Sequence, residues 1–239
     1  MEEGYKGPPT GNQLLAALPT AVSRRLSPYL EETTLSIDQA LFQPAAPLQF
    51  AYFPTNSIVT SSYAIDDNSM VKAWPVGREG MVGISLLLDW PNAIPGPSRA
   101  DVELSGRAFR LSTPVLRREF RRAGALQHLL LRYVAALMTQ ASQLSVCNLY
   151  HSVDQRLCRF LSRGFDQVNG DQIFITQARL GRLLGIRREG VTESALRLQE
   201  SGVIKYHRGH IRLLNRKALE ARACICAGII RRAFTAVTR

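Results

Sequence analysis

The chain has little cysteine, little histidine and no long apolar run, and each shortage removes a class of protein. Four cysteines, Cys147, Cys158, Cys224 and Cys226, in 239 residues are too sparse for a disulfide-stapled fold and agree with a reducing compartment. Cys224-Ile225-Cys226 lacks metal-ligand spacing and nearby histidines. It reads as a pair of buried small residues, with a redox-responsive thiol as the alternative, and no metal is expected. No segment approaches the roughly 20 apolar residues of a membrane span. The start, Met1-Glu2-Glu3-Gly4-Tyr5-Lys6, has acids where a signal peptide needs basic residues. The expectation is a soluble, cytoplasmic protein without a membrane partner. The four histidines, His128, His151, His207 and His210, form no catalytic pattern with an acid or nucleophile. No Walker or Rossmann glycine pattern opens a helix, so an enzyme is not expected.

What the chain does have is positive charge, unevenly placed. Of its formal charge of +11, residues 1–151 carry 13 Lys and Arg against 12 Asp and Glu, while residues 152–239 carry 17 against 7. A basic block beside a near-neutral one is the footprint of one domain that neutralises phosphates and another that does something else. Charge alone also fits RNA or an anionic membrane surface. An apolar content of 46% suffices for ordinary cores.

Patterning divides the chain in three. After a Gly/Pro-rich leader, Leu14 to Leu30 has helical spacing broken by Pro19 and Pro28, so short helices are expected. From Leu35 to about Leu111, short runs such as Phe50-Ala51-Tyr52-Phe53 and Val102-Glu103-Leu104 alternate with turn signals, the texture of a small antiparallel barrel or sandwich. From Thr113 the pattern turns helical, with a break near Gly124. Beyond the break, Leu126, Leu130, Tyr133, Leu137, Gln140, Leu144 and Cys147 recur at steps of four and three, a heptad seam suited to a partner copy, with a helix packed wholly inside a monomer as the alternative. A second apolar edge, Leu129, Val134, Met138, Ala141 and Val146, lies beside it and suits packing on the chain's own barrel. The expected layout is α+β: residues 1–125 a β domain with flanking helices, 126–150 a dimerisation helix and hinge, 151–239 a basic domain with a helical extension.

The stretch Thr176 to Leu198 has the internal logic of a helix-turn-helix. Thr176 caps a first helix whose inner face is Leu180, Leu183 and Leu184; Gly185 supplies the turn, and Ile186 plugs the gap. The second helix buries Val191, Ser194, Ala195 and Leu198 at i, i+3, i+4 and i+7. The opposite face then presents Arg187, Arg188, Glu189, Thr192 and Glu193, with Arg197 further along. Arginine can donate twice to guanine and glutamate can accept from cytosine, so Arg188 and Glu189 lead the expected base readers, with Thr192 and Glu193. Gly202 to Leu214 reads as two strands around an Arg208-Gly209 turn, a wing. Thr176, Gln177, Arg187, Arg197, Lys205, His207 and Arg208 are expected at phosphates, which position the domain without reading sequence.

At this point the sequence resembles the cyclic-AMP receptor/fumarate-nitrate regulator (CRP/FNR) family over nearly its whole length. Val153-Asp154-Gln155-Arg156-Leu157 and Arg187-Arg188-Glu189-Gly190-Val191-Thr192 look like the family's hinge-side helix and recognition helix. The resemblance implies an N-terminal antiparallel β-roll of cyclic-nucleotide-binding type, a long dimerisation helix and a C-terminal winged helix-turn-helix. It further implies a homodimer on a two-fold symmetric double-stranded DNA operator, with RNA polymerase as a partner and a small-molecule or redox signal sensed in the roll. Typical recognition helices read Arg-Glu-x-x-x-Arg; here Arg188 and Glu189 match, but Glu193 stands at the last position, so the operator should depart from the usual half-site. The cyclic-nucleotide cassette of the family is altered: Gly83-Ile84-Ser85 lacks the ribose-binding Glu, and Ser98-Arg99-Ala100 displaces the phosphate-binding Arg-Ser pair. Cyclic AMP binding in the usual mode is not expected. Arg78, Glu79, Gly83, Ser98 and Arg99 are the candidate effector pocket, with Gly77 to Gly83 either an anion-binding nest or a set of turn glycines. Oxygen-sensing relatives hold an iron-sulfur cluster on cysteines near the N-terminus, and no cysteine here precedes Cys147; no cofactor is identified. The competing function is an effector-binding signalling module, for a cyclic nucleotide or dinucleotide, whose basic domain docks on a protein or membrane.

Overall fold

The computed structural model of the chain describes residues 10–42, 49–64, 70–87, 99–168 and 170–239. It divides into two compact units, residues 1–136 with 234–239, and residues 137–233. The division falls inside the long helix rather than at its ends.

The first unit starts with α1 (Gln13–Ala16) and α2 (Thr20–Leu26), separated by Pro19 as expected. Asn12, fully buried, holds this start in place. Its side-chain oxygen accepts from Leu14 N and Leu15 N, and its amide donates to Pro54 O and Gly80 O at 2.9 Å each. One side chain thus caps a helix and ties it to two loops. Among the described residues seven strands follow: β1 (Glu31–Leu35), β2 (Ala40–Phe42), β3 (Phe50–Pro54), β4 (Ile58–Ala64), β5 (Met70–Val76), β6 (Arg99–Leu104) and β7 (Gly106–Ser112). They form two antiparallel sheets, ordered β1-β7-β3 and β2-β6-β4-β5. β6 and β7 are consecutive but lie in different sheets, so the chain changes sheet at Ser105-Gly106. Gly106 is required there because a Cβ would meet Asn56 Oδ1 at 2.7 Å. Leu35, Val59, Val76, Val82, Ala100, Val102 and Ala108 fill the core. The expected antiparallel β-roll is present.

Two helices follow, α3 (Thr113–Phe120) and the 26-residue α4 (Ala125–Tyr150), with the expected break between them. The heptad seam on α4 is not free for a partner. Leu126, Leu130 and Tyr133 are at most 3% exposed. The Tyr133 hydroxyl lies 3.2 Å from both Met81 N and Met81 O, a Cβ on Gly80 would collide with the Tyr133 ring, and Phe234 packs edge-on to it at 6.0 Å. These residues are core of the first unit, because a phenol that satisfies a buried amide is worth more inward than against a second copy. Further along, Gln140 is buried and Leu137 and Leu144 are half-buried. The exposed stripe is the opposite one: Leu131 is 50% exposed, Met138 67% and Leu149 77%, with exposed Ala135, Ser142 and Ser145 between them. These six also recur at steps of four and three.

The second unit contains α5 (Val153–Gln167), β8 (Gln172–Phe174), α6 (Gln177–Leu184), α7 (Arg188–Glu200), β9 (Ile204–His207), β10 (His210–Leu213) and α8 (Arg216–Arg222), and most of α9 (Ile225–Val237). Its core joins Leu157, Leu161 and Phe165 of α5 to Leu180, Leu184, Val191, Ala195, Leu198 and Ile211. Two elements depart from expectation. β8 adds a third strand to the wing, in the order β8-β10-β9, in a segment whose three residues are too few to show a period. The tail is two helices rather than one, parted at Ala223-Cys224. Among the described residues no helix is long and apolar enough to cross a membrane.

Candidate nucleic-acid interface

The helix-turn-helix forms where the sequence places it. Thr176 caps α6 by accepting from Arg179 N at 3.3 Å. Gly185 ends the helix at φ +61, the left-handed conformation that costs a glycine least. Ile186 N then donates to Gly181 O at 3.0 Å. A Cβ on Gly181 would stand 2.9 Å from Ile186 O, so the tight return of the chain depends on this glycine too. Val191, Ser194, Ala195 and Leu198 are all buried, which turns the other face of α7 outward.

α5 holds both helices of the motif. Arg156, buried, donates to Leu184 O, one of the carbonyls left open at the end of α6. Arg197 of α7 grips Asp154 with two hydrogen bonds, 2.7 and 2.9 Å. That guanidinium holds the Asp154 carboxyl below the usual carboxylate range. Arg197 is therefore reassigned: its donors meet a fixed carboxylate 43 residues away, and it orients α7 instead of meeting a phosphate.

Of the other expected contacts, Thr176, Gln177, Arg188, Thr192 and Arg208 line one groove. Arg187, Arg188, Glu189 and Glu193 are exposed on the first turns of α7 and at its start. Thr192 is half-buried, and its hydroxyl lies 3.0 Å from Gln177 Oε1 and from Arg188 O. It locks α7 to the start of α6 and orients Gln177. The wing turn is a two-residue hairpin: Arg208 and Gly209 have φ of +47 and +88, and His207 pairs with His210 across it. Two positive φ values in succession match the twist of the flanking strands, and they leave Arg208 exposed at the tip. Lys205 and His207 are exposed on β9.

Between the recognition helix and the wing lies a groove of about 470 Å³, lined among others by Thr176, Gln177, Arg188, Thr192, Tyr206 and Arg208. Tyr206 and Gln199 are the lining residues that sequence reasoning missed. Gln199 Oε1 accepts from Tyr206 N at 2.7 Å, and the Tyr206 hydroxyl donates to Ile175 O at 2.8 Å. Burial pushes that hydroxyl up to about 12, against the opposing charge of Arg188. Together the pair fixes the floor of the groove. Tyr206 alternates with exposed Lys205 and His207, a period-two signal that could have flagged it.

The effector candidates do not assemble in this way. Ser98 lies outside the described residues. Arg99 pairs with Asp101 at 2.5 Å, and Glu79, buried, accepts from Gly77 N at 3.4 Å. Three of the loop amides that an anion nest could use are occupied: Gly80 N donates to Gly77 O, Met81 N to Tyr133 Oη and Val82 N to Tyr52 O. The glycines of 77–83 serve turns and packing, Gly80 against Tyr133 and Gly83 at φ +96. The expectation about Cys224 and Cys226 also changes, because folding brings His151 to the pair: its Nδ1 lies 3.5 Å from Cys226 Sγ.

Comparison with known proteins agrees with this geometry. Residues 155–222 match the Crp-like helix-turn-helix domain, from α5 through α8. FixK2 from Bradyrhizobium japonicum superposes with a TM-score of 0.66 at 14% identity, over 82% of this chain and 98% of that one. A CRP-family transcriptional regulator from Thermus thermophilus gives 0.61 at 16%, over 80% and 96%. CLP, the c-di-GMP responsive global regulator of Xanthomonas campestris, gives 0.57 at 17%, over 82% and 100%. A comparison with curated protein sequences found no match. The fold is that of CRP/FNR regulators, and the resemblance drawn from the sequence stands.

Proposed function

We propose that this chain, which carries a Crp-like helix-turn-helix domain in the fold of CRP/FNR regulators, is a transcription regulator that binds double-stranded DNA. The observation that carries the proposal is the exposed start of α7, Arg187-Arg188-Glu189, whose Arg188 lines a groove shared with the Arg208 wing tip. Arg188 and Glu189 read base edges in the major groove, while Arg187, Lys205, His207, Arg208, Thr176 and Gln177 meet the backbone. Glu193 replaces a guanine-seeking arginine with an acceptor, so the half-site differs from the family's at that base pair.

The protein acts as a homodimer on a two-fold symmetric operator, with RNA polymerase as its further partner. The α4 surface that supports a dimer is the exposed stripe Leu131, Met138 and Leu149, spaced by small residues at heptad intervals. The β-roll modulates DNA binding without holding cyclic AMP in the usual mode, a reading supported by the occupied loop amides.

Selection of bound sequences from a random duplex library, with and without candidate nucleotides, tests the proposal. A symmetric consensus is expected. Arg188→Ala should erase preference at one base pair per half-site, at a cost of about 1–3 kcal/mol on the best site. Equal weakening on every duplex would remove the base-reading role from Arg188. Retention on anionic vesicles but not on duplex DNA, across a salt series, would favour the docking-module alternative.

A further inference from the structure

Four ligand-bearing side chains that serve neither the groove nor the β-roll meet in the second unit. Cys147 and His151 lie one turn apart at the end of α4, where His151 N still donates to Cys147 O at 3.2 Å. Cys224 and Cys226 flank the start of α9. The Sγ atoms of Cys147 and Cys224 are 3.5 Å apart, as are Cys226 Sγ and His151 Nδ1. No ligand atom of the four is more than 4.8 Å from any other. The three cysteines are buried as a cluster of their own, and none is in a disulfide.

These separations are those of one ion's coordination shell. Zinc-sulfur bonds of about 2.3 Å and zinc-nitrogen bonds of about 2.0–2.1 Å in a tetrahedron put sulfurs about 3.8 Å apart and sulfur about 3.5 Å from nitrogen. The two measured pairs fall near those values, and the remainder, within 4.8 Å, need to close by at most about 1.3 Å. The set is too tight for a multi-iron cluster, whose cysteines must reach around several metal atoms. Three thiolates and an imidazole are a soft donor set that selects thiophilic ions over magnesium or calcium.

The charge of the surroundings agrees. Arg159, 7% exposed, acts on Cys147 as a hydrogen-bonding and electrostatic neighbour, and its Nε has no partner among the described residues. A dication with three thiolates and a neutral imidazole carries one net negative charge, which Arg159 balances. Arg156 adds a second positive charge nearby, bonded to Leu184 O.

We infer that Cys147, His151, Cys224 and Cys226 form a tetrahedral site for one thiophilic divalent ion, zinc(II) by its donor set, that ties the end of α4 to the start of α9. Binding replaces three S–H bonds with three metal–sulfur bonds and releases three protons to solvent; no electron is transferred. The tie falls next to Ser152, the cap of α5, so occupancy fixes the joint from which the helix-turn-helix domain begins.

The full chain, purified under reducing conditions and stripped with a chelator, is titrated anaerobically with cobalt(II). The expected result is one equivalent bound, with thiolate-to-cobalt charge-transfer bands and the intense visible bands of tetrahedral cobalt. Zinc(II) should displace them, three protons should be released per ion, and the thermal midpoint should rise. Cys226→Ser and His151→Ala should lose that spectrum, while Cys158→Ala, whose thiol lies outside the quartet, should keep it. Arg159→Gln should keep the spectrum but weaken affinity by about 10- to 100-fold. No thiolate band in the wild-type chain would overturn the site. So would a band unchanged in Cys226→Ser, several irons with sulfide after reconstitution, or a Cys147–Cys224 disulfide in place of metal uptake.

Discussion

The salt dependence of DNA binding separates the two arginines that the sequence treats alike. Arg208 stands exposed at the wing tip, whereas the Nε and Nη2 of Arg197 are taken by Asp154 at 2.9 and 2.7 Å and its Nη1 lies 4.0 Å from Glu193 Oε2. In the proposed binding mode three exposed cations, Arg187, Lys205 and Arg208, would meet phosphates in each protomer. A dimer then neutralises about six phosphates, and the slope of log K against log salt should be about −5. Between 50 and 200 mM salt that slope costs on the order of a thousandfold in affinity. Arg208→Ala removes two contacts per dimer and should reduce the slope by about 2. Arg197→Ala should leave the slope unchanged while lowering the thermal midpoint, because it releases α7 from α5. Fluorescence anisotropy with a labelled operator over a salt series measures both. An Arg197→Ala slope reduced as much as that of Arg208→Ala would refute the assignment of Arg197 to Asp154. A wild-type slope near half the expected value would refute the paired use of two protomers.

Three other perturbations test the architecture. Gly181→Ala places a methyl 2.9 Å from Ile186 O and should destabilise the chain by about 1–3 kcal/mol in urea unfolding; an unchanged midpoint would show that the turn has room. Tyr133→Phe strips Met81 N of its partner and should cost about 1–3 kcal/mol for the buried amide left open, with the same sedimentation coefficient as wild type. Met138→Glu puts a charge in the exposed α4 stripe and should yield a monomer by sedimentation velocity, whereas a dimer of unchanged mass would move the interface elsewhere.

The helix-turn-helix was legible because its determinants are local. Thr176, Gly185, the i, i+3, i+4 and i+7 spacing of the α7 inner face, and the Arg208-Gly209 turn each act within a few residues, so the sequence specifies them without knowing the rest of the fold. The alternation of short strands with turn signals predicted a small antiparallel barrel or sandwich for the same reason, and the resemblance narrowed it to a roll. Strand β8 was not legible, because three residues show no period and its place depends on pairing with β10. Arg197 was misread since an exposed arginine on a basic helix looks the same whether its partner is a phosphate or a distant Asp154.

The long helix shows where local information ends. Two of its faces repeat at steps of four and three, and heptad spacing alone suits either to a partner. Only the docking of Tyr133 on Met81 and Gly80 decides which faces inward. By itself, the sequence determined the helix-turn-helix unit and the class of fold, which rest on propensity, capping and periodicity over short spans. Tertiary structure alone decided which stripe of α4 is exposed and that Cys147 and His151 meet Cys224 and Cys226. The last two pairs lie more than 70 residues apart, and only packing of the intervening domain brings their side chains within bonding reach of one ion.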